Sequence, residues 1–271
     1  MAKLKFGAWI PTYAWSGGKS DPKNVKRIRE SIEKCEDHGI DVWVIDHLLS
    51  APGLYGNAWL EPLNSLAFAA ALTSKVKIAT GILVLPVRHP VVLAKEISTL
   101  CHLSENRYMF GVGPGWYARE YEVTGSRIEE RGKRTDEIIE AVTLLLTKPN
   151  ASFQGKYYQF NDVTIEPRPP KMPAIWVSGG SRVPDPTDHD VPVIATTVMD
   201  RIVKAGNWLS RCSGKQEWVK RDWAQLGQHA GPQQHFPLPA RVGRLLAVVR
   251  RGRRDRNPFS AGHLGVVGVR G

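Results

Sequence analysis

The sequence predicts an α/β protein built on a parallel sheet, read as a (β/α) barrel in preference to an open sheet. Three observations carry this. Short β-branched or aromatic runs alternate with longer amphipathic segments from Lys5 to about Gly206, the pattern of repeated strand–helix units. Most of the strand-like runs begin about one such unit apart, ~30 residues. The turn after the opening strand is Pro11-Thr12-Tyr13-Ala14-Trp15, without the glycines that the dinucleotide-binding half of a doubly wound sheet needs there. This last point decides weakly, because strand–helix alternation is common to both architectures.

The expected strands cover residues 5–10, 41–45, 76–83, 108–112, 174–178 and 207–209. In the first helix Ser20 or Asp21 can cap the start, Pro22 suits the first turn, Ile28 and Ile32 share a face, and Gly39 can end it. Further helices are expected over 61–72, 91–103, 128–146, 191–204 and 216–228. Between the fourth and fifth strands the spacing doubles, and Ala151-Ser-Phe-Gln-Gly-Lys-Tyr-Tyr-Gln-Phe160 reads as a small hairpin turning at Gly155.

At 271 residues, with 42% hydrophobic and 23% charged positions, the chain can bury a large core without staples. Cys35, Cys101 and Cys212 are scattered with no metal-ligand spacing, which fits a reducing compartment and argues against zinc. The opening Met1-Ala2-Lys3-Leu4-Lys5-Phe6 enters a strand without an apolar leader, and no apolar run approaches the ~18 residues of a membrane span. The expectation is a soluble, cytoplasmic protein with no membrane partner.

The net charge of +11 belongs mainly to a tail. From Ala230 to Gly271 there are eight arginines, one acid (Asp255) and no lysine; without that stretch the chain is close to balanced. The division expected is therefore a barrel domain over 1–229 and an Arg/Gly/Pro-rich tail over 230–271. The tail also lacks Glu, Ile, Thr, Tyr and Trp, the composition of an out-of-frame reading of a GC-rich gene. Leu245-Leu-Ala-Val-Val249 and Leu264-Gly-Val-Val-Gly-Val269 can be strands, but the arginine-rich segment between them has no helical stripe.

In a parallel barrel the chemistry lies just after the carboxyl ends of the strands. Those positions here are Trp9 to Tyr13, Asp46-His47, Thr80-Gly81, Gly111-Val112-Gly113-Pro114-Gly115-Trp116, Ser178-Gly179-Gly180-Ser181, and Trp208. They mix aromatic rings, small residues and a few hydrogen-bonding groups, as suits a planar ring with a phosphate tail. Asp46-His47 reads either as a proton-exchanging pair on the rim or as a capped strand end with a surface histidine. Gly111-Val-Gly-Pro-Gly115 reads as a ligand loop or a tight turn, and Gly179-Gly180-Ser181 as a phosphate cradle or a turn. Glu129-Glu130-Arg131 with Lys133-Arg134 reads as a solvated helix face. The GxSxG, HExxH and GxxxxGK[ST] spacings are missing, so hydrolase, zincin and P-loop mechanisms lack their defining groups.

Taken together, Val44-Ile-Asp-His-Leu-Leu49, Ile78-Ala-Thr-Gly-Ile-Leu-Val-Leu-Pro-Val-Arg-His-Pro90, Leu103-Ser-Glu-Asn-Arg107 and Gly111-Val-Gly-Pro-Gly-Trp-Tyr-Ala-Arg-Glu-Tyr121 resemble successive signatures of the luciferase-like monooxygenase family. Glu130-Arg-Gly-Lys-Arg134, Phe153-Gln-Gly-Lys-Tyr-Tyr158 and Pro173-Ala-Ile-Trp-Val-Ser-Gly-Gly180 continue the match in order, over about residues 4–228. The resemblance implies a (β/α)8 TIM-type barrel, here incomplete at strands 7 and 8. It further implies a flavin-dependent oxidoreductase that uses reduced FMN with oxygen, or coenzyme F-420 for hydride transfer, on a small organic substrate. Assembly as a homo-oligomer and no specific nucleic-acid partner are expected with it. By the same resemblance Asp46 and His47 are the catalytic candidates at the rim of the ring pocket. Trp9 joins the cofactor-binding set; Thr80 and Gly81 map to the ring's flank, Gly111, Val112, Gly113 and Trp116 to the mouth, and Gly179, Gly180 and Ser181 to the phosphate site. No metal ligand is expected. The alternative from a different class is a catalytically inactive barrel remnant whose basic tail binds polyanions.

Overall fold

The computed structural model describes residues 4–12, 15–16, 22–50, 57–180, 194–210, 216–231, 245–249 and 266–270. Eight strands form one ring: β1 (Leu4–Trp9), β2 (Asp41–Val44), β3 (Ile78–Thr80), β4 (Tyr108–Gly113), β5 (Ile175–Gly179), β6 (Trp208–Ser210), β7 (Leu245–Val249) and β8 (Val266–Arg270). Each strand from β1 to β6 pairs in parallel with the next in sequence. That order excludes a doubly wound sheet, in which the strand sequence reverses at a switch point. The eighth place is filled differently. β8 runs antiparallel to both β7 and β1, and among the described residues no helix joins β7 to β8. The ring of strand pairings thus closes through two antiparallel edges.

A period of two along the strands sorts side chains into two layers. Val42, Val44, Ile78, Tyr108, Phe110, Val112, Val177 and Trp208 belong to the large core shared with the helices. The alternate positions, Trp43, Ala79, Met109, Trp176 and Leu209, fill the barrel's interior with Trp9 and Ile82. Trp43 and Trp176 meet edge to face at 6.4 Å, the arrangement that aromatic quadrupoles favour. Room for Trp43 comes from Gly7, where a Cβ would lie 2.4 Å from its Nε1.

The helices are α1 (Pro22–His38), α2 (Pro62–Leu72), α3 (Pro90–Leu103), α4 (Ala118–Val123), α5 (Arg131–Thr147), α6 (Thr196–Ala205) and α7 (Gln216–Ala230). In α1, Ile28, Ile32 and Cys35 are buried on one face, and the chain leaves it through Gly39 at φ 64, a left-handed value that suits glycine. Two starts are capped by side chains: Glu61 accepts the Asn64 N–H at 2.7 Å ahead of α2, and His89 accepts from Val91 ahead of α3, satisfying otherwise orphaned donors. The proposed caps Ser20 and Asp21 lie outside the described residues.

Two expectations change. The strand expected over 76–83 is broken: Leu83–Val84 leaves β3 and pairs with the end of β4, with Gly81 N donating to Val44 O at 2.7 Å at the break. The helix expected over 191–204 is described from Thr196. The hairpin forms as read, with strands Ala151–Gln154 and Gln159–Val163. It is tied to α5 by Glu137, whose carboxylate accepts the N–H groups of Lys156, Tyr157 and Tyr158. Arg134, read as a solvated charge, lies over the Tyr157 ring at 4.4 Å.

Candidate active site

Asp46 and His47 follow β2 directly, and the fold gives them different work. Asp46 is buried and accepts the Val84 N–H at 2.8 Å, and Arg88 Nη2 donates to both carboxylate oxygens at 3.2 and 3.1 Å. Arg88 also reaches Glu61 Oε1 at 3.2 Å. Burial pushes the Asp46 carboxyl above its usual 3.8, against the opposing charge of Arg88. Burial would lower the Arg88 guanidinium, but the carboxylates of Asp46 and Glu61 more than offset it and hold it above its usual value. With this many partners Asp46 is a tether that binds the β2 end, the segment after β3 and the start of α2 to one another.

His47 is the group at the rim. Its Nδ1 lies 3.2 Å from Glu120 Oε1, and that oxygen also accepts the N–H groups of Leu48 at 2.7 Å and Leu49 at 3.1 Å. Glu120 is 1% exposed, in the first turn of α4. The imidazole stands between two indoles, with Trp59 at 4.9 Å and Trp116 at 5.7 Å between ring centroids. Trp116 keeps 43% of its surface exposed and Leu48 keeps 51%, so the histidine opens onto an apolar, aromatic mouth. A carboxylate on Nδ1 orients the imidazole and fixes which ring nitrogen faces Glu120.

The remaining predicted residues divide by strand periodicity. Thr80 and Val112 carry outward-facing side chains: Thr80 Oγ1 donates to Gly111 O at 2.7 Å and meets Tyr108 Oη at 3.2 Å, and Val112 packs in the helix-side core. Thr80 lies two positions after outward Ile78, so its hydroxyl faces the helix-side layer as well. Gly81 borders the interior, where a Cβ would come within 2.9 Å of both Trp43 and Trp9. At Gly111 a Cβ would lie 1.9 Å from Thr80 O, so this glycine answers to strand packing. Gly113 is likewise enclosed, by Ile82. Trp9 ends β1 with its Nε1 buried and without a partner. Gly179 and Gly180 lie at the end of β5, Gly179 packed against Val198 in the first turn of α6. Ser181 lies outside the described residues.

Sequence reasoning missed the pairing of Glu120 with His47, and Arg88, Glu61 and Trp59 as members of this constellation. No local signal separates Glu120 from Glu122, its neighbour on α4 that pairs with Arg119 with its side chain 69% exposed. Among the described residues no group of His, Cys, Asp or Glu could hold a metal ion, and no helix is long and apolar enough to cross a membrane. Cys35 and Cys101 are free and buried, and burial pushes their thiols to about 11 and about 12, which leaves them unreactive at neutral pH.

The profile of one family, luciferase-like monooxygenase, matches residues 4–184, a span that includes His47, Glu120 and the glycine-rich turns. The chain belongs to the luciferase-like monooxygenase family. Among relatives of known description, it is 28% identical over 191 residues to an FMNH(2)-dependent dimethylsulfone monooxygenase of Pseudomonas putida, covering 66% of this chain and 52% of that protein. It is 33% identical over 156 residues to an F-420-dependent glucose-6-phosphate dehydrogenase of Amycolatopsis mediterranei, covering 55% and 46%. The chain thus spans about half the length of these luciferase-like relatives. In three dimensions it is similar to the oxygenating constituent of 3,6-diketocamphane monooxygenase from Pseudomonas putida, solved in complex with FMN. The TM-score is 0.68 at 22% identity, over 85% of this chain and 62% of that one. At that identity the likeness is one of fold.

Proposed function

We propose that this chain is a flavin- or F-420-dependent oxidoreductase that acts on a small organic substrate at the mouth of the barrel, with His47 as its proton-exchanging residue. The observation that carries the reading is the buried His47–Glu120 contact, set between two indoles after the carboxyl end of a parallel strand. Catalytic groups of TIM-type barrels stand at that end. A histidine oriented by a buried carboxylate is the arrangement that general acid–base catalysis uses.

The residues present fit a planar redox ring. Trp9 Nε1 is a buried donor without a partner beside Gly81, and the exposed face of Trp116 adjoins the imidazole. In this reading Trp9, Gly81 and Trp116 hold the ring, the backbone of Gly111, Val112 and Gly113 lines its approach, and Gly179, Gly180 and Ser181 take the phosphate end. One relative is FMNH(2)-dependent and the other F-420-dependent, and either cofactor suits this reading. Bound there, reduced FMN would supply the electrons for oxygen chemistry and F-420 a hydride. The chain's own part is to orient the ring, to exclude water through the tryptophan-filled interior, and to hold or release a proton at His47 Nε2 while Glu120 fixes Nδ1. The arginines on which polyanion binding would depend, Arg241, Arg244, Arg250, Arg251, Arg253, Arg254 and Arg256, lie outside the described residues.

Anaerobic titration with reduced FMN and, in parallel, reduced F-420 tests the reading by fluorescence or calorimetry. Saturable binding of one supports it and selects the next assay, oxygen consumption or hydride transfer. Binding of neither by folded protein overturns it.

A further inference from the structure

A cavity of about 310 Å³ opens at the opposite end of the barrel from His47. Lys77 immediately precedes β3, Asn106 shortly precedes β4, and Lys171 and Met172 precede β5, so its rim gathers the amino ends of three adjacent strands. Its inner wall includes Met109 and Trp176, both of the barrel-filling cluster. Asn106 is held in place by its backbone, at φ 58 with its N–H donated to Cys101 O at 2.8 Å.

The rim is positive. Lys77 and Lys171 are exposed, and among the described residues neither ammonium makes an ion pair or a hydrogen bond. One acid near Lys77 is the buried Asp41, whose Oδ1 accepts the Lys77 backbone N–H at 2.9 Å and whose carboxylate also feels Lys5. Glu105, beside Asn106, is offset by Arg107. Below this rim the wall is soft and apolar: two thioethers and an indole, the surfaces on which an aromatic ring packs best. Two polar atoms of the lining residues, Trp176 Nε1 and Asn106 Oδ1, have no protein partner. The volume sits at the small end of the ~300–1,000 Å³ of ligand pockets.

We propose that this cavity binds a small aromatic carboxylate, its anion between Lys77 and Lys171 and its ring against Met109, Met172 and Trp176. Lysine ammoniums serve as point charges for such an anion, and the walls explain why a ring is preferred to a bare ion. The site is independent of the cofactor reading, since it shares no residue with the mouth.

The test uses the full chain and benzoate as the probe, followed by calorimetry and by tryptophan fluorescence, with inorganic phosphate in parallel. The expected result is saturable one-to-one binding of benzoate, weakened roughly tenfold by Lys77→Ala and again by Lys171→Ala, with phosphate bound more weakly. Both lysines are exposed, so the variants are expected to fold, which circular dichroism checks. Binding that survives both substitutions places the anion elsewhere and overturns the proposal. Equal affinity for phosphate and benzoate means an adventitious ion only, and overturns it too.

Discussion

Glu120 Oε1 lies 3.2 Å from His47 Nδ1 and also accepts the backbone N–H groups of Leu48 and Leu49, so one carboxylate oxygen both aims the imidazole and holds the loop that carries it. Because these duties are separable, Glu120→Gln and Glu120→Ala are expected to differ. The glutamine keeps an acceptor for the loop and loses the charge beside the ring; the alanine also leaves two donors unsatisfied, at about 1–3 kcal/mol. Thermal unfolding of both variants, with turnover measured on each, checks this. Equal destabilisation would sink the division of roles.

His47→Ala removes the ring and leaves Glu120 with its two backbone donors. The variant is expected to lose about 1 kcal/mol of stability and roughly 10²-fold or more in turnover. Unchanged activity would remove His47 from the mechanism.

Arg88→Met strands the Asp46 carboxylate in the interior. Breaking a buried pair on one side costs about 3–5 kcal/mol, and a second change, Asp46→Asn, is expected to return part of it. The pH dependence has a definite sign. Burial already raises Asp46 above 3.8 in the folded state, so this group's contribution to stability is fully present below 3.8 and is lost as pH rises through its folded value. Without Arg88 the folded value climbs further. The variant's deficit relative to wild type should therefore be largest near neutral pH and shrink in acid, as urea unfolding at a series of pH values would show.

Two glycine-to-alanine changes should move stability in opposite directions. At Gly111 the new Cβ would meet Thr80 O at 1.9 Å, a backbone atom that cannot step aside, whereas at Gly132 on α5 the nearest contact is Arg201 Nη2 at 3.7 Å. Gly111→Ala should cost about 3 kcal/mol or more, and Gly132→Ala should gain up to about 0.5–1 kcal/mol by restricting the unfolded chain. Denaturant midpoints of the two variants decide it.

Much of the barrel was legible because it is written in local periodicity. Val42 and Val44 alternating with Trp43, or Tyr108 and Phe110 with Met109, fall into two sets by the period of two alone, while packing decided which set faces the helices and which the ring. The hairpin at Gly155 was legible for the same reason, since its turn and both strands lie within residues 151–163. The position of His47 on the rim followed from β2 ending just before it.

By itself, then, the sequence determined the repeated strand–helix order, the parallel sheet, the rim positions and the family signatures, all of which depend on neighbours in the chain. Only the tertiary structure decided that Asp46 is tied to Arg88, which also reaches Glu61, that Glu120 and not Glu122 faces His47, and that Thr80 turns its hydroxyl away from the mouth. It also decided that Val266–Arg270 closes the ring in the reverse direction. The partners of Asp46 and His47 are separated by 42 and 73 residues, and no local pattern marks which distant charge will meet which. The desolvation cost of an unpaired buried charge makes that choice, and it is felt only once the chain has closed around it.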